Sequence, residues 1–481
     1  MVFSSIIFLF GFLPVVLAVY HGLRALLAPL APGVWQPVRL AVLLAFSLVF
    51  YGWGEPRWIR VLLVSAGTDF VAGWLIARGW AGPAARLDPE ARRELWQGGV
   101  VAVALGVNLG LLFFFKYYGF ASRHLGFLPA LPELALPLGI SFYTFKSMSY
   151  TLDVYRGRVT ATRDPLAFAC FVTLFPEMVA GPIVRWSSVS DQLARDQASL
   201  AGAAYGVRRF VIGLAKKVLI ANTLAGPVDQ IFYAAPEALP VAVAWLAAVG
   251  YAFQIYFDFS GYSDMAIGLG HLFGFRFPEN FDYPYAARSV KDFWRRWHIS
   301  LSTWFRDYVY IPLGGDRRGP ARTMVNLLFV FALCGLWHGA SFTFVAWGLW
   351  HGAFLLLERT RFGVGLERAP AALRHAYVLL VVMLGWLPFR APSRTHAARH
   401  ALALFGLAAA DPRLHPLDAY LTPPAALALC AALLCAVPLP WPALPRPLAP
   451  ALRLGALASL LGASVVALAA GTHDPFIYYR F

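Results

Sequence analysis

TMVNLLFVFALCGLWHGASFTFVAWGLWHGAFLLL, residues 323–357, contains no Asp, Glu, Lys or Arg, and its reading decides the fold. As one helix it would run about 50 Å, against a bilayer hydrocarbon core of about 30 Å, so it is expected to break and return. The break falls at Leu336-Trp-His-Gly-Ala-Ser, and the LWHGA string recurs at Leu349–Ala353. His338 then stands where one apolar helix stops and another starts, beside a glycine that lets backbone or substrate approach closely. A buried neutral imidazole at such a break keeps a nitrogen able to accept a proton near neutral pH, which makes His338 a candidate base and His351 a possible supporting residue. The competing reading is a hydrogen-bonded core histidine. Cys334 lies four residues before His338 and can share its face, but Cys-x3-His alone specifies neither metal nor thioester chemistry.

Upstream, KDFWRRWHISLSTWFRDYVYIPLGG at 291–315 combines cations and aromatics. At the helical angle Phe293, Trp297, Leu301, Trp304 and Tyr308 share one face, with Lys291, Asp292, Arg295, His298, Ser302 and Arg306 nearly opposite. The expectation is one amphipathic helix lying in or capping a membrane, ended by Pro312-Leu-Gly-Gly. His298 is expected at an aqueous entrance between Arg295 and Arg306, where charge and hydrogen bonds would hold an anionic or thioester substrate. The spacing fits equally an interfacial helix whose bases touch lipid phosphates.

Composition extends the membrane reading to the whole chain. Of 481 residues 59% are hydrophobic and 14% charged, with a mean hydropathy of +0.62, far from a soluble globular protein. The net charge of +15 sits between apolar runs, where anionic headgroups are the simpler partner, and nucleic-acid binding is discarded. Cys170, Cys334, Cys430 and Cys435 lie inside apolar segments and read as small core residues. MVFSSIIFLFGFLPVVLAVY has its first following base at Arg24 and resembles a retained span. Spans are expected near 3–23, 38–53, 58–77, 98–115, 238–257, 371–390, 424–441 and 452–470, with a short one near 397–409. The loop with Arg78, Arg86, Arg92 and Arg93 is the most basic early one, which places it in the cytoplasm and the N-terminus outside. Asp88-Pro89-Glu90 reads as the start of a short surface helix, and the closing HDPFIYYRF as an interfacial aromatic end.

Polar residues interrupt the apolar pattern at three places. From Leu134 to Val184, Pro137, Gly139, Pro176, Gly181 and Pro182 accompany Lys146, Asp153, Arg156 and Glu177, which suggests backbone wrapped around an interior chamber. Glu177 is either functional or bonded to a nearby arginine such as Arg185. Tyr205–Asn222 carries Arg208, Arg209, Lys216 and Lys217 and reads as a helix along an anionic surface. Asp258 and Asp264, six apart, do not share a helix face, so helix capping or pairing with arginines is expected for both.

FWRRWHISLSTWFRDYVYIPLGG at 293–315, QIYFDFSGYSDMAIGLG at 254–270, LPLGISFYTFKSMSYTLDVYRG at 136–157 and GLWHGASFTFVAWGLWHG at 335–352 closely resemble the membrane-bound O-acyltransferase (MBOAT) family. Within it they are most similar to the branch concerned with alginate O-acetylation, and MVFSSIIFLF and FIYYRF carry the similarity to both ends. The resemblance implies an all-α polytopic membrane protein, a ring of about 11 transmembrane helices plus re-entrant and interfacial helices, in one membrane-embedded domain. Within that domain 1–133 would supply N-terminal spans, 134–358 the catalytic core and 359–481 C-terminal spans.

It further implies that His338 of LWHGA is catalytic and that His298 of WRRWHIS is the second signature position. Acetyl-CoA is the implied cytoplasmic acyl donor, with no bound cofactor and no metal. The acyl group would cross a bacterial inner membrane towards an extracytoplasmic acetyltransferase partner and a polysaccharide such as alginate, with membrane lipids around the protein. One departure stands out: the branch commonly reads FPHLIAGP where this chain has FPEMVAGP, so Glu177 replaces a histidine. In the mechanism expected, His338 is the general base, Arg295, Ser302, Arg306, Trp304 and Trp337 bind substrate, and Glu177, Asp258 and His351 are possible supporting residues. D-alanyl transfer to teichoic acids, or a transporter or flippase of a lipid-linked substrate, are the alternatives.

Overall fold

The computed structural model describes residues 1–79, 88–129, 131, 135–438, 449–471 and 477, and every regular element among them is helical. Among the described residues nine helices are long and apolar enough to cross a membrane, and Phe342–Leu357 and Pro423–Cys435 are shorter apolar helices. The chain is an all-α, multi-pass membrane protein. It divides into two compact units, Met1–Phe210 with Ala266–Pro278, and Val211–Met265 with Glu279–Phe481. Arg86 and all of HDPFIYYRF except Ile477 lie outside the described residues.

In the first unit, helices α1 (Ile59–Arg78), α2 (Pro89–Leu112) and α3 (Ile140–Tyr155) meet around one carboxylate. Asp69 is fully buried and accepts from Asn108 Nδ2 (2.7 Å), Thr151 Oγ1 (2.5 Å) and Ser147 Oγ. Ser147 and Thr151 are four residues apart on one face of α3, and Ser65 Oγ holds Asn108 by donating to its Oδ1 at 2.5 Å. Such a carboxylate is tolerable in a dry interior because donors replace the lost water. Asp88-Pro89-Glu90 does begin a helix, but it is the long α2 rather than a short surface one. Glu177 is buried against Lys146, not Arg185, and the Lys146 ammonium lies 4.7 Å from the Phe171 ring centre. The space beside this pair is too small for a water molecule, so Lys146 and Glu177 are embedded in protein.

In the second unit, α4 (Val241–Leu272, as far as Met265) carries Asp258 and Asp264 in mid-helix. Their partners are lysines, not helix ends or arginines: Lys217 Nζ lies 2.5 Å from Asp258 and Lys216 Nζ 2.7 Å from Asp264. Glycines make this possible, since a Cβ on Gly213 would stand 2.5 Å from the Gly261 carbonyl oxygen. Lys217 is therefore buried inside Leu200–Tyr233, a run long enough to cross the bilayer, and not laid along a surface.

The uncharged stretch breaks where its length requires. Helix α7 (Pro320–His338) ends at the histidine, Gly339 is extended, and Ser341 caps α8 (Phe342–Leu357) by accepting from the Thr343 N–H. The two helices touch through backbone: a Cβ on Gly335 would fall 2.2 Å from the Phe344 carbonyl oxygen, and one on Gly348 2.0 Å from that of Phe331. Small residues at a helix seam are how apolar helices gain contact where no hydrophobic effect drives them together. The span expected at 371–390 is α9, Ala371–Arg390.

The stretch at 291–315 is not one helix. It forms α5 (Val290–Arg296) and α6 (Ile299–Phe305), separated by extended Trp297 and by His298 at φ 41°, ψ 56°, and it continues as a π-turn at Arg306–Tyr310. The 280–282 loop compensates the break. Ile299 N–H donates to the Asn280 carbonyl and Asp282 N–H to the Arg296 carbonyl, each at 3.0 Å. The amphipathic pattern misled because these backbone groups find partners outside the helix.

Candidate active site

Helix α7 delivers His338 to its C-terminus, 2% exposed, among aromatic rings. Its imidazole meets Trp337 and Trp347 edge-on, each at 4.9 Å between ring centres, and Phe389 of α9 at 5.3 Å. Trp337 also meets His298 at 5.9 Å, so one indole stands against both signature histidines.

His298 is fully buried, which overturns its expected place at a watery entrance. Its Nδ1 lies 3.2 Å from Asn280 Oδ1, which also accepts from Ser300 N–H (3.2 Å) and Oγ (2.9 Å), while Asn280 Nδ2 donates to Ser263 Oγ. An oxygen can only accept, so Nδ1 carries the proton and Nε2 is the basic nitrogen. Burial pushes the imidazole down to about 3, and it is neutral at physiological pH. The backbone of His298 is left-handed, a costly conformation that persists where the surrounding structure over-determines it.

A cavity of about 790 Å³ opens among α5, α6, α7 and α8. Its lining carries six bases, Arg288, Lys291, Arg295, Arg306, Arg359 and Arg374, against three acids, Asp316, Glu358 and Glu367, and Arg306 is paired with Asp307 at 2.7 Å. Its wall turns apolar at Trp294, Val330, Phe331 and Cys334. Cys334 precedes His338 by one helical turn on α7, so the cavity reaches to within a turn of the imidazole. Glu358, also in the wall, has its carboxylate engaged by the N–H groups of Val290 (2.6 Å) and Lys291 (3.1 Å). That contact docks the end of α8 on the start of α5, where the helix N-terminus favours a carboxylate.

Of the residues singled out in the sequence, Arg295, Ser302 and Arg306 line this cavity and His298 does not. Trp304 is buried against Phe305 and Tyr308, away from the cavity lining, and Trp337 sits between the histidines. Asp258 is held by Lys217 and by the Ile477 N–H at 2.7 Å, and Glu177 belongs to the first unit. His351, fully buried on α8, faces Trp347 across 5.2 Å. Sequence reasoning missed Asn280, which lies in an irregular loop with no periodicity to mark it, and did not single out Trp294 or Trp347 among the many aromatics. No group of three or more His, Cys, Asp or Glu residues suited to a metal ion occurs among the described residues.

Helices broken beside buried histidines, with a cavity whose lining reaches Cys334 one turn before His338, make up the candidate site, and the comparisons give the class of the chain. The membrane-bound O-acyltransferase family model matches residues 161–364. The probable alginate O-acetylase AlgI of Pseudomonas aeruginosa is 43% identical over 419 residues, 84% of this chain and 75% of that one. The peptidoglycan O-acetyltransferase of Helicobacter pylori is 34% identical over 442 residues, 85% and 80% of the two chains. The teichoic acid D-alanyltransferase of Bacillus subtilis is 30% identical over 215 residues, 42% and 53%. The chain belongs to the membrane-bound O-acyltransferase family and is an O-acyltransferase.

Proposed function

We propose that the protein transfers acetyl groups from cytoplasmic acetyl-CoA across the bacterial inner membrane for O-acetylation of an extracytoplasmic polysaccharide, alginate or a similar polymer. The observation that carries this reading is the cavity whose lining, richer in bases than in acids, turns to an apolar wall ending one turn from His338. A donor with phosphates at one end and an uncharged thioester at the other matches that lining: Arg295 takes phosphate charge, Arg306, paired with Asp307, lies beside it, Ser302 offers a hydroxyl, and the arm runs past Cys334. His338 is the general base on the acceptor hydroxyl. His298, buried and neutral, orients Trp337 and the His338 ring rather than meeting the donor in the cavity. The AlgI and peptidoglycan O-acetyltransferase relatives favour acetyl over D-alanyl, since their similarity covers twice the length of this chain that the D-alanyltransferase does. An extracytoplasmic acetyltransferase partner completes delivery to the polymer.

Donor placement is tested by kinetics in proteoliposomes. Arg295→Ala and Arg306→Ala are expected to raise KM for acetyl-CoA about tenfold, more at low than at high salt, with kcat little changed. An unchanged KM in both variants would remove the cavity from donor binding.

A further inference from the structure

Between the cavity and His338 lie three buried polar side chains with no hydrogen-bond partner among the described residues. They are the Nε1 of Trp294, the Nε1 of Trp347 and both ring nitrogens of His351. Trp347 and His351 are fully buried and Trp294 is 8% exposed. The three touch one another, with ring centres 5.2 Å apart for Trp294–His351, 5.2 Å for Trp347–His351 and 5.6 Å for Trp294–Trp347. Trp294 is itself cavity wall, and Trp347 stands edge-on to His338. The cluster therefore joins the donor cavity to the candidate base.

Packing alone does not account for these nitrogens. An unsatisfied buried donor costs stability, and phenylalanine or leucine would fill much of the same volume without that penalty. Two neighbouring indoles are bonded by contrast: Trp350 Nε1 donates to the Val381 carbonyl (2.9 Å) and Trp386 Nε1 to Tyr285 Oη (3.2 Å). Gly385 lets α9 pack close against His351, since a Cβ there would lie 2.9 Å from His351 Nε2.

We propose that Trp294, Trp347 and His351 form the acyl site of the donor thioester, where N–H groups hold the acyl carbonyl oxygen and the ring walls admit only a short chain. This rests on the donor reading above. As His338 takes the acceptor hydroxyl proton, the acceptor oxygen bonds to the thioester carbonyl carbon and the C=O π pair moves onto the carbonyl oxygen. The N–H groups of Trp347 and His351 stabilise that oxyanion. The pair then re-forms C=O, the C–S bond breaks, and the departing thiolate takes the proton from the His338 imidazolium, giving an O-acyl ester and a free thiol.

The test measures thiol release by the full-length protein in proteoliposomes with acceptor, using acetyl-, butyryl- and octanoyl-CoA. Trp347→Phe keeps the ring and loses the donor, so kcat for acetyl-CoA is expected to fall about 10²-fold while the order of chain preference stays. Trp347→Leu opens room, and butyryl-CoA is expected to gain at least about tenfold relative to acetyl-CoA. Trp294→Leu serves the same arm if Trp347→Leu does not fold. His351→Gln, which keeps a donor, is expected to retain more activity than His351→Leu. A wild-type rate in Trp347→Phe, or an unchanged chain profile in the leucine variants, overturns the acyl site while acetyl transfer stands. No thiol release by wild type from acetyl-CoA removes the donor reading and the acyl site with it.

Discussion

Asp69 and His351 are both fully buried polar side chains on membrane helices, and they differ in what surrounds them. Asp69 is held by Asn108, Ser147 and Thr151. His351 is ringed by Phe293, Trp294, Trp347 and Trp386, with neither nitrogen bonded to any described residue. Burial alone thus says little about role in a chain this apolar. A polar group whose hydrogen bonds are all made within the protein serves the fold, whereas one kept in an aromatic box without partners costs stability and has bonds to give to a ligand.

The two regions are expected to lose different things, stability at Asp69 and activity at His351. Asp69→Leu strands three buried donors, and a loss of about 3 kcal/mol is expected, read as a lower unfolding midpoint in detergent, with activity per folded molecule preserved. A midpoint equal to wild type would mean the Asp69 cluster is not a structural knot. Asn280→Ala comes next, at about 1–3 kcal/mol, because His298 and Ser300 lose their shared acceptor. Acetyl transfer is expected to fall with it, and Asn280→Asp, which keeps an acceptor, should recover part of the loss. His351→Leu is the smallest on stability, within about 1 kcal/mol of wild type, yet is expected to lose transfer activity. Strong destabilisation by His351→Leu with full specific activity would reverse the comparison and make His351 a packing residue.

Much of the architecture was legible because hydropathy and length act locally. The uncharged run at 323–357 had to break, and it breaks at His338. The span at 371–390 was marked by its own apolar composition. What misread depended on partners distant in sequence. The period of 291–315 was helical, yet the 280–282 loop supplies the backbone partners that let the chain turn at His298 and bury it. Glu177 finds Lys146, thirty-one residues away, and Asp258 finds Lys217, forty-one away, because glycine contacts and helix crossings that no local pattern records bring them together. At the candidate site the cationic residues Arg295 and Arg306 could be read from their helix face, while Trp294 and Trp347 were indistinguishable from core aromatics until their unpaired nitrogens were seen.

The most direct measurement is transfer of radiolabelled acetyl from acetyl-CoA by the purified protein in proteoliposomes supplied with acceptor polysaccharide and acetyltransferase partner, comparing wild type with His338→Ala at matched folded amounts. Loss of at least about 10²-fold in His338→Ala, with an unchanged unfolding midpoint, is the result expected of a general base at the end of α7. Transfer at the wild-type rate by the folded variant would contradict it.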